Sequence, residues 1–457
     1  MTAEKEITII GAGLAGCEAA WQAAKAGCHV TLFEMKPTKM TPAHRSPLFA
    51  ELVCSNSLRS AQIENAVGLL KEELRRLGSL TMEAADAAVV PAGAALAVDR
   101  EKFSGYITEK IKSHPAITVV EEELTEIPAE GIVIVATGPL TSDALSDYIA
   151  REIAFEQGQL HFFDAAAPIV DASTVNKDIA FFASRYGKGE ASYLNCPMTR
   201  EEYDAFYKAL LSAETAALHE FDTPEETSAG GLTVFEGCMP VEVMAARGYE
   251  TLLYGPLKPV GLPLPSTGKD AFAVVQLRME NVEGTMYNLV GFQTHLTFAE
   301  QRRVFRMIPG LEKAEFLRYG VMHRNTFLHS PGLLDDTYAL KKDPRIYFAG
   351  QMTGVEGYLE SAGSGFTAGV NAARQALGLS PLPFSPISVL GALGRYVQNG
   401  SLAKFQPMNA NFGIVDPLPA KVKGGKAARN RAIAQRSLAY IDGLQGTLFS
   451  LHEENSY

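Results

Sequence analysis

The chain of 457 residues has one tryptophan, five cysteines and no long apolar run. No stretch reaches the ~18 consecutive apolar residues that a membrane-spanning helix needs, so no transmembrane helix is expected. No basic leader with a cleavage site precedes the first apolar run at Ile7, so export is not expected either. The cysteines, Cys17, Cys28, Cys54, Cys196 and Cys238, form no CxxC pair. That disfavours zinc ribbons and thioredoxin-like redox pairs, and an odd number of scattered thiols suits a reducing cytoplasm. Basic residues are outnumbered, 41 Lys and Arg against 52 Asp and Glu, for a net charge of -11. That argues against a chain coated in nucleic acid, and a DNA partner is not expected, although one local basic face remains compatible with that total. A length of this order makes two domains the natural expectation.

What is abundant is glycine, 40 residues in all, much of it clustered. Ile7 to Ile10 (ITII) predicts a short buried strand, followed at once by Gly11-Ala12-Gly13-Leu14-Ala15-Gly16. A helix-like run from Cys17 to Ala26 comes next, Gly27 ends it, and His29 to Phe33 predicts a second strand closing on Glu34. This strand, glycine turn, helix, strand and acid is the context that a dinucleotide-binding GxGxxG requires. Gly11 makes the tight turn, Gly13 admits the pyrophosphate, and Gly16 lets helix approach strand. The helix N-terminus faces the phosphates. The Glu34 carboxylate is placed to accept from a ribose diol and to repel a 2′-phosphate.

Further apolar runs organise the rest. Residues 64–77 carry Val67, Leu70, Leu74 and Leu77 at helical spacing, with Glu72 and Arg76 as an exposed pair. Ile132 to Thr137 and Arg345 to Ala349 predict buried strands, each running into glycine. Between them the texture changes. Thr199–Glu202 and Thr297–Glu300 predict helices with capping-box starts, and Phe272 to Leu277 and Met286 to Val290 predict strands. The expected fold is α/β: an FAD-binding Rossmann-like domain of the two-dinucleotide-binding flavoprotein type, with an inserted α+β domain. The expected boundaries are 1–155 with 330–457 for the discontinuous FAD-binding domain, and 156–329 for the insert.

Flavin is favoured over nicotinamide by a second glycine cluster late in the chain. A strand leads to Gly350-Gln-Met-Thr-Gly354, then Gly357, then Gly363-Ser-Gly365-Phe-Thr-Ala-Gly369 and a predicted helix. Such a helix start can stabilise the anion of reduced flavin. Gly350, Gly363 and Gly365 are therefore expected at the cofactor, and Ala136-Thr-Gly138 resembles the middle motif of this flavoprotein superfamily. Where that superfamily usually has an Asp after the glycine, this chain has Gln351. No second complete GxGxxG appears, so any nicotinamide docks transiently.

With these pieces placed, the chain resembles the folate- and FAD-dependent tRNA (uracil-5-)-methyltransferase family over essentially its whole length. The resemblance rests on Gly11–Gly16, on Glu51-Leu-Val-Cys54-Ser-Asn-Ser-Leu-Arg59, and on Pro91-Ala-Gly-Ala-Ala-Leu-Ala-Val-Asp99-Arg100. It continues through Tyr193 to Met198, Phe235-Glu-Gly-Cys238-Met-Pro240, Val290 to His295, His323-Arg-Asn-Thr-Phe327 and Met408 to Gly413. It implies transfer of a one-carbon unit from 5,10-methylenetetrahydrofolate to C5 of uridine 54 in the tRNA T-loop, giving ribothymidine. NADH or NADPH would reduce the FAD. The same chemistry on a ribosomal RNA uridine, or a flavin NAD(P)H oxidoreductase acting on a small molecule, are the competing functions.

The resemblance also singles out Cys54 and Cys238 as catalytic, since uracil C5 is a poor nucleophile until a thiolate adds at C6. Cys17 and Cys28 are expected to be buried core thiols, and Cys196 a loop residue without chemistry. His295 and His323 are candidates for proton transfer or folate contact, with a satisfied core histidine as the equal alternative. Arg278 and Arg324 are candidates for a folate carboxylate or an RNA phosphate, with ordinary salt bridges competing. Residues 417 to 441 hold Lys421, Lys423, Lys426, Arg429, Arg431 and Arg436 and no acid, a candidate RNA face.

Overall fold

Strand β1 (Glu6–Ile10) turns through glycine into α1 (Leu14–Lys25) and returns as β2 (His29–Phe33). The structure is a computed structural model that describes residues 5–41, 43–153, 159–165, 167–187, 190–216, 239–320, 322–399 and 405–450, with backbone alone for 159–165 and 322–326. A small antiparallel sheet of β3 (Ser57–Ser60), β4 (Val89–Val90) and β5 (Ala95–Val98) encloses α2 (Ala66–Arg76) and α3 (Leu80–Ala87) in sequence. Then come α4 (Arg100–Ser113), β6 (Ile117–Val120), β7 (Ile132–Val135) and α5 (Asp143–Glu152).

The middle of the chain is built differently. It runs β8 (Gln159–Ala165), β9 (Ile169–Asp171), β10 (Phe181–Ala183), β11 (Tyr193–Met198) and α6 (Arg200–Leu211). Next are α7 (Val241–Ala246), α8 (Thr251–Tyr254), β12 (Ala273–Met279), β13 (Met286–Leu289), α9 (Phe298–Phe305) and β14 (Phe316–Arg318). The chain ends with β15 (Met322–Leu328), β16 (Ala339–Leu340), β17 (Asp343–Phe348), α10 (Tyr358–Ala376), α11 (Val389–Gln398) and α12 (Gly425–Leu444).

Two six-stranded sheets result. The first has the order β16-β17-β7-β1-β2-β6, parallel except for the antiparallel edge β16. Its strands are buried on both faces, which is why IVIV and ITII carry no polar alternation. The second, β10-β11-β12-β13-β9-β14, is antiparallel throughout. Each sheet has its own apolar core, the second packed by Tyr203, Phe206, Phe292 and Phe305 from the helices and loops that cover it. The two segments that pass between them, β8 and β15, pair antiparallel with each other from Gln159↔Leu328 to Ala165↔Met322. Among the described residues no helix is long and apolar enough to cross a membrane.

Helix α10 corrects one expectation. It begins at Tyr358, so Gly363, Gly365 and Gly369 lie inside a helix and are buried, not at a helix start. A Cβ on Gly365 would stand 2.2 Å from the Ala15 carbonyl oxygen, and one on Gly369 would stand 2.6 Å from Ala19 Cα. These glycines let α10 lie directly against the backbone of α1. A Cβ on Gly363 would stand 3.1 Å from Leu390 Cδ1, so this glycine packs α10 toward α11. A glycine run reads the same in sequence whether it clears space for phosphate or for a helix.

Local chemistry accounts for other boundaries. At α6 the capping box is complete: Thr199 Oγ1 accepts from Glu202 N at 3.3 Å, and Glu202 Oε2 accepts from Thr199 N at 2.7 Å. At α9 only half of it forms: Thr297 N donates to Glu214 O at 3.0 Å, and Arg303 holds the Glu300 carboxylate (Nε to Oε1, 2.8 Å). Cys196 lies inside β11 opposite Val275 and is fully buried, not in a loop. Pro197 is tolerated there because β10 covers only Tyr193 to Asn195, so no ladder partner waits for its missing N–H. The Glu72–Arg76 pair forms at 3.0 Å. Buried Glu73 accepts from the first amides of α11, Val389 N at 2.8 Å and Leu390 N at 2.9 Å, and from the Ser437 hydroxyl of α12. Burial pushes its carboxyl up to about 7 despite these donors.

Two glycine substitutions should therefore act in opposite directions. Gly365→Ala forces α1 and α10 apart and should lower unfolding stability by about 1–3 kcal/mol. Gly105, in α4, has nothing within 4 Å of a built Cβ, and Gly105→Ala should raise stability by roughly 0.5–1 kcal/mol. Denaturant titration measures both.

Candidate functional site

The glycine turn after β1 is fixed from three sides. Gly11 N donates to Phe33 O at 2.7 Å, and the Gly11 backbone sits at φ 99°. A Cβ there would meet Ala136 O at 2.7 Å, and one on Gly16 would meet Gly11 O at 1.8 Å. Only glycine fits either position. Gly13 is different: nothing lies within 4 Å of its built Cβ. It is the N-cap of α1 with no side chain capping the helix, so the first amides of α1 face open space. Glu34 is buried, its Oε2 accepting from Ala12 N at 2.8 Å and its Oε1 from Lys36 N at 3.0 Å. A carboxylate has about four lone-pair sites, so acceptor capacity remains for a diol.

These groups line a cleft, open to solvent, at the carboxyl ends of the parallel strands β1, β2, β7 and β17. Gly11, Ala12, Gly13, Leu14, Ala15 and Glu34 form one wall, and Thr137 to Thr141 after β7 form another. Gly350, Gln351, Tyr358 and Ser361 close the far end, and Cys54 stands among them. The strand order reverses between β1 and its two neighbours, the usual place for a ligand in a sheet of this kind. A dinucleotide fits: the open cradle at Gly13 takes a pyrophosphate, the uncapped helix start faces its charge, and Glu34 takes the ribose. Gly363 and Gly365 are not among the lining residues: Gly365 belongs to the α1–α10 contact, and Gly363 packs toward α11. Gln351, standing where the superfamily usually has an Asp, gives its Nε2 to Glu356 Oε2 at 2.5 Å.

Cys54 is half-buried and held by its own backbone. The Tyr358 hydroxyl, at the first residue of α10, accepts from Cys54 N at 2.7 Å and Ser55 N at 3.1 Å. Burial, and then the nearby Cys54, hold that phenol well above its usual range, so it stays protonated. From the second sheet, Arg278 on β12 donates Nε to Asn56 Oδ1 at 2.8 Å and Nη2 to Ser55 Oγ at 2.7 Å. Asn56 Nδ2 donates in turn to Val98 O at 3.1 Å and Met279 O at 2.8 Å. Arg100 Nη1 donates to Leu52 O at 2.7 Å, and Arg100 pairs with buried Glu280 at 2.7 Å. Arg278 thus positions the Cys54 loop through Nε and Nη2. His44, also lining the cleft, is pushed below the usual histidine range by burial and then by Lys36.

Cys238 lies outside the described residues, as do the side chains of His323 and Arg324. His295 donates its backbone N–H to Glu242 Oε1 at 2.6 Å and does not line the cleft. Cys17 and Cys28 are buried, and burial raises both thiols; Cys196 is pushed up to about 12 by burial. Tyr358 gives no signal in the sequence, because 304 residues separate it from its partner Cys54. Asn56 and Arg100 stand inside recognised motifs, but nothing in their spacing reveals which atoms they hold.

Fold and cleft together define an FAD-binding flavoprotein of Rossmann-like fold. A family model described as glucose inhibited division protein A matches residues 6–380. The methylenetetrahydrofolate--tRNA-(uracil-5-)-methyltransferase TrmFO of Heliobacterium modesticaldum is 61% identical over 438 residues, 95% of this chain and 97% of that protein. The protein of the same name from Acetivibrio thermocellus is 60% identical over 435 residues, with the same two coverages. The solved structure of Aquifex aeolicus GidA superposes with a TM-score of 0.69 at 18% identity, over 98% of this chain and 74% of that one, a likeness of fold. The chain belongs to the family of methylenetetrahydrofolate--tRNA-(uracil-5-)-methyltransferases.

Gly13→Val should fill the phosphate cradle while leaving the fold intact. The purified variant should be colourless where the wild type is yellow with FAD. Absorbance near the flavin band per mole of protein reads the outcome, and full flavin content in the variant would remove the Gly11–Gly16 assignment.

Proposed function

We propose that this protein methylates C5 of uridine 54 in the T-loop of tRNA, using 5,10-methylenetetrahydrofolate and NADH or NADPH in the cytoplasm. The observation that carries this reading is the placement of Cys54 on the dinucleotide cleft, in a chain 61% identical over 95% of its length to a protein of that name. Residues 1–155 with 330–457 form the FAD-binding domain and 156–329 an inserted domain; the separate apolar cores and the β8–β15 ribbon support that division.

Gly11 to Gly16 hold the pyrophosphate, Glu34 the ribose, and Gly350 lies at the flavin end. Bound FAD supplies the hydride and one-carbon chemistry that turns a methylene into a methyl. The protein's own part begins with the base, which must leave the T-loop stack before C6 can be reached. The Cys238 thiolate adds to C6, placing enolate charge on C5 and O4. After the one-carbon unit joins C5, a base removes the C5 proton and the thiol leaves C6. Cys54 attends the flavin end of the cleft and assists the one-carbon transfer without attacking RNA.

RNA docks on the basic face ahead of and along α12. Arg431 pairs there with Glu64 at 2.7 Å, and Arg436 donates to the Pro417 and Asp416 carbonyls. Lys421, Lys423, Lys426 and Arg429 are exposed, and none forms an ion pair with a described residue. These four are the cations that remain for phosphate.

With both cosubstrates, wild-type protein should convert a T-loop uridine to ribothymidine, read by nucleoside mass spectrometry. Cys54→Ala should keep FAD and bind tRNA yet make little product. T-loop RNA carrying 5-fluorouracil cannot lose a C5 proton, so a covalent complex should accumulate and map to Cys238. An adduct on Cys54 would exchange the two roles, and no adduct at all would refute thiol addition.

Replacing Lys423, Lys426 and Arg429 together by Ala should weaken tRNA binding and flatten its salt dependence. The log–log slope should fall by about 0.7–0.9 for every phosphate that the variant no longer neutralises. An unchanged slope would place the RNA site elsewhere.

A further inference from the structure

Helix α9 opens on an exposed ring. Phe298, its first residue, is 53% exposed. It lies on Tyr319, with ring centroids 4.8 Å apart and planes at 16°. Tyr319 lies in turn on Phe316 of β14, at 5.4 Å and 15°. Phe316 then meets Phe305, and Phe305 meets Phe292, both fully buried in the second core. The rings form a column that starts in the core and ends at the surface on three near-parallel planes. Offset stacking of this kind is an arrangement that one more flat ring can extend.

The column is held in place and flanked by positive charge. Buried Gln301 of α9 donates Nε2 to Gly320 O at 2.8 Å and accepts from Gly320 N at 2.7 Å. That clamps the residue after Tyr319 to the helix that carries Phe298. Arg302 donates Nε and Nη2 to the Tyr319 hydroxyl at 3.0 and 2.6 Å. Among the described residues its Nη1 has no partner and no carboxylate pairs with it. The one acid of α9, Glu300, is held by Arg303, and Arg306 caps the helix end. An exposed ring beside a guanidinium with donors to spare is the combination that binds a single-stranded nucleic acid, base on ring and phosphate on cation.

The column also stands near the proposed chemistry. The backbone just ahead of α9 holds both described flanks of the stretch that carries Cys238: Ala216 N donates to His295 O at 2.8 Å, and Val241 N to Gln293 O at 2.7 Å. Beyond Gly320 the chain enters β15, which packs against the turns at Gly138–Leu140 and Gln351–Thr353 beside the cleft. We propose that Phe298 and Arg302 form a docking point for RNA, where an unpaired base of the substrate loop stacks on Phe298 and Arg302 binds a neighbouring phosphate. The inference rests on the RNA substrate proposed above and adds a second contact to the basic face at α12.

The test uses the flavin-bound protein and a T-arm hairpin RNA with 5-iodouridine at each loop uridine in turn, a base that photo-crosslinks to rings stacked on it. Peptide mapping should place the crosslink on Phe298. Phe298→Ala should abolish it and raise the Kd of the unmodified RNA by about 5- to 100-fold. Its salt slope should stay unchanged, because a stacked base releases no counterion. Phe298→Tyr should restore both crosslink and affinity, and Arg302→Gln should lower the slope by about 0.7–0.9, one phosphate. Flavin content and thermal unfolding establish that each variant is folded. If Phe298→Ala binds RNA as tightly as the wild type and still forms ribothymidine, the docking point is refuted and the proposed function stands. If Phe298→Ala instead turns a dimer into a monomer with RNA affinity unchanged, the column is a contact between copies of the chain and the proposal falls. A crosslink on Phe298 in a protein that makes no ribothymidine would retain the docking point and refute the methyltransferase reading.

Discussion

The arrangement of the cleft depends on one side chain, Asn56. Its amide nitrogen reaches carbonyls on both sides of the molecule, Val98 from the small sheet and Met279 from the second sheet, while its oxygen accepts from Arg278. Every polar atom of a fully buried group is satisfied, and each bond ties the Cys54 loop to another strand. An unsatisfied amide in such a place costs about 1–3 kcal/mol, so the three segments are held in one relation. Cys54 stands two residues away and inherits its position from that junction. Tyr358 then fixes the same loop from the side of α10.

The first half of the flavin site is legible in the sequence because local chemistry specifies it. Gly11, Gly13 and Gly16 have three distinct jobs within one turn, and strand, helix and Glu34 follow at short range. Gly365 is not legible in this way. Its requirement, backbone contact with Ala15, is a relation between segments far apart in the chain, though its spacing mimics a phosphate turn. Arg278 shows the same limit: a lone arginine on a strand announces a charge but not its partner. Thr297 shows a smaller one, where its N–H goes to the distant Glu214 carbonyl and Arg303 takes the acid that a capping box would use.

Acidic chains can still present a basic surface when their own carboxylates do not reach it. Glu64 and the carbonyls of residues 416 and 417 engage Arg431 and Arg436, which lie toward the body of the protein. The cations nearer the start of α12 have no such neighbours among the described residues. The surplus of negative charge elsewhere would repel a polyanion that approached the wrong face, which makes the overall acidity an aid to orientation.

The contact of α1 with α10 has a mechanical consequence. Ala15 and Ala19 meet Gly365 and Gly369 with no long side chain between them, so no rotamer can absorb a displacement. The turn at Gly13 and the turn at Gly350 are therefore two jaws of one stiff clamp, one at the start of α1 and the other ahead of α10. A side chain added at Gly365 or Gly369 would therefore be felt at the cradle as well as at the seam, and the colour of the protein would register a strain introduced one helix away.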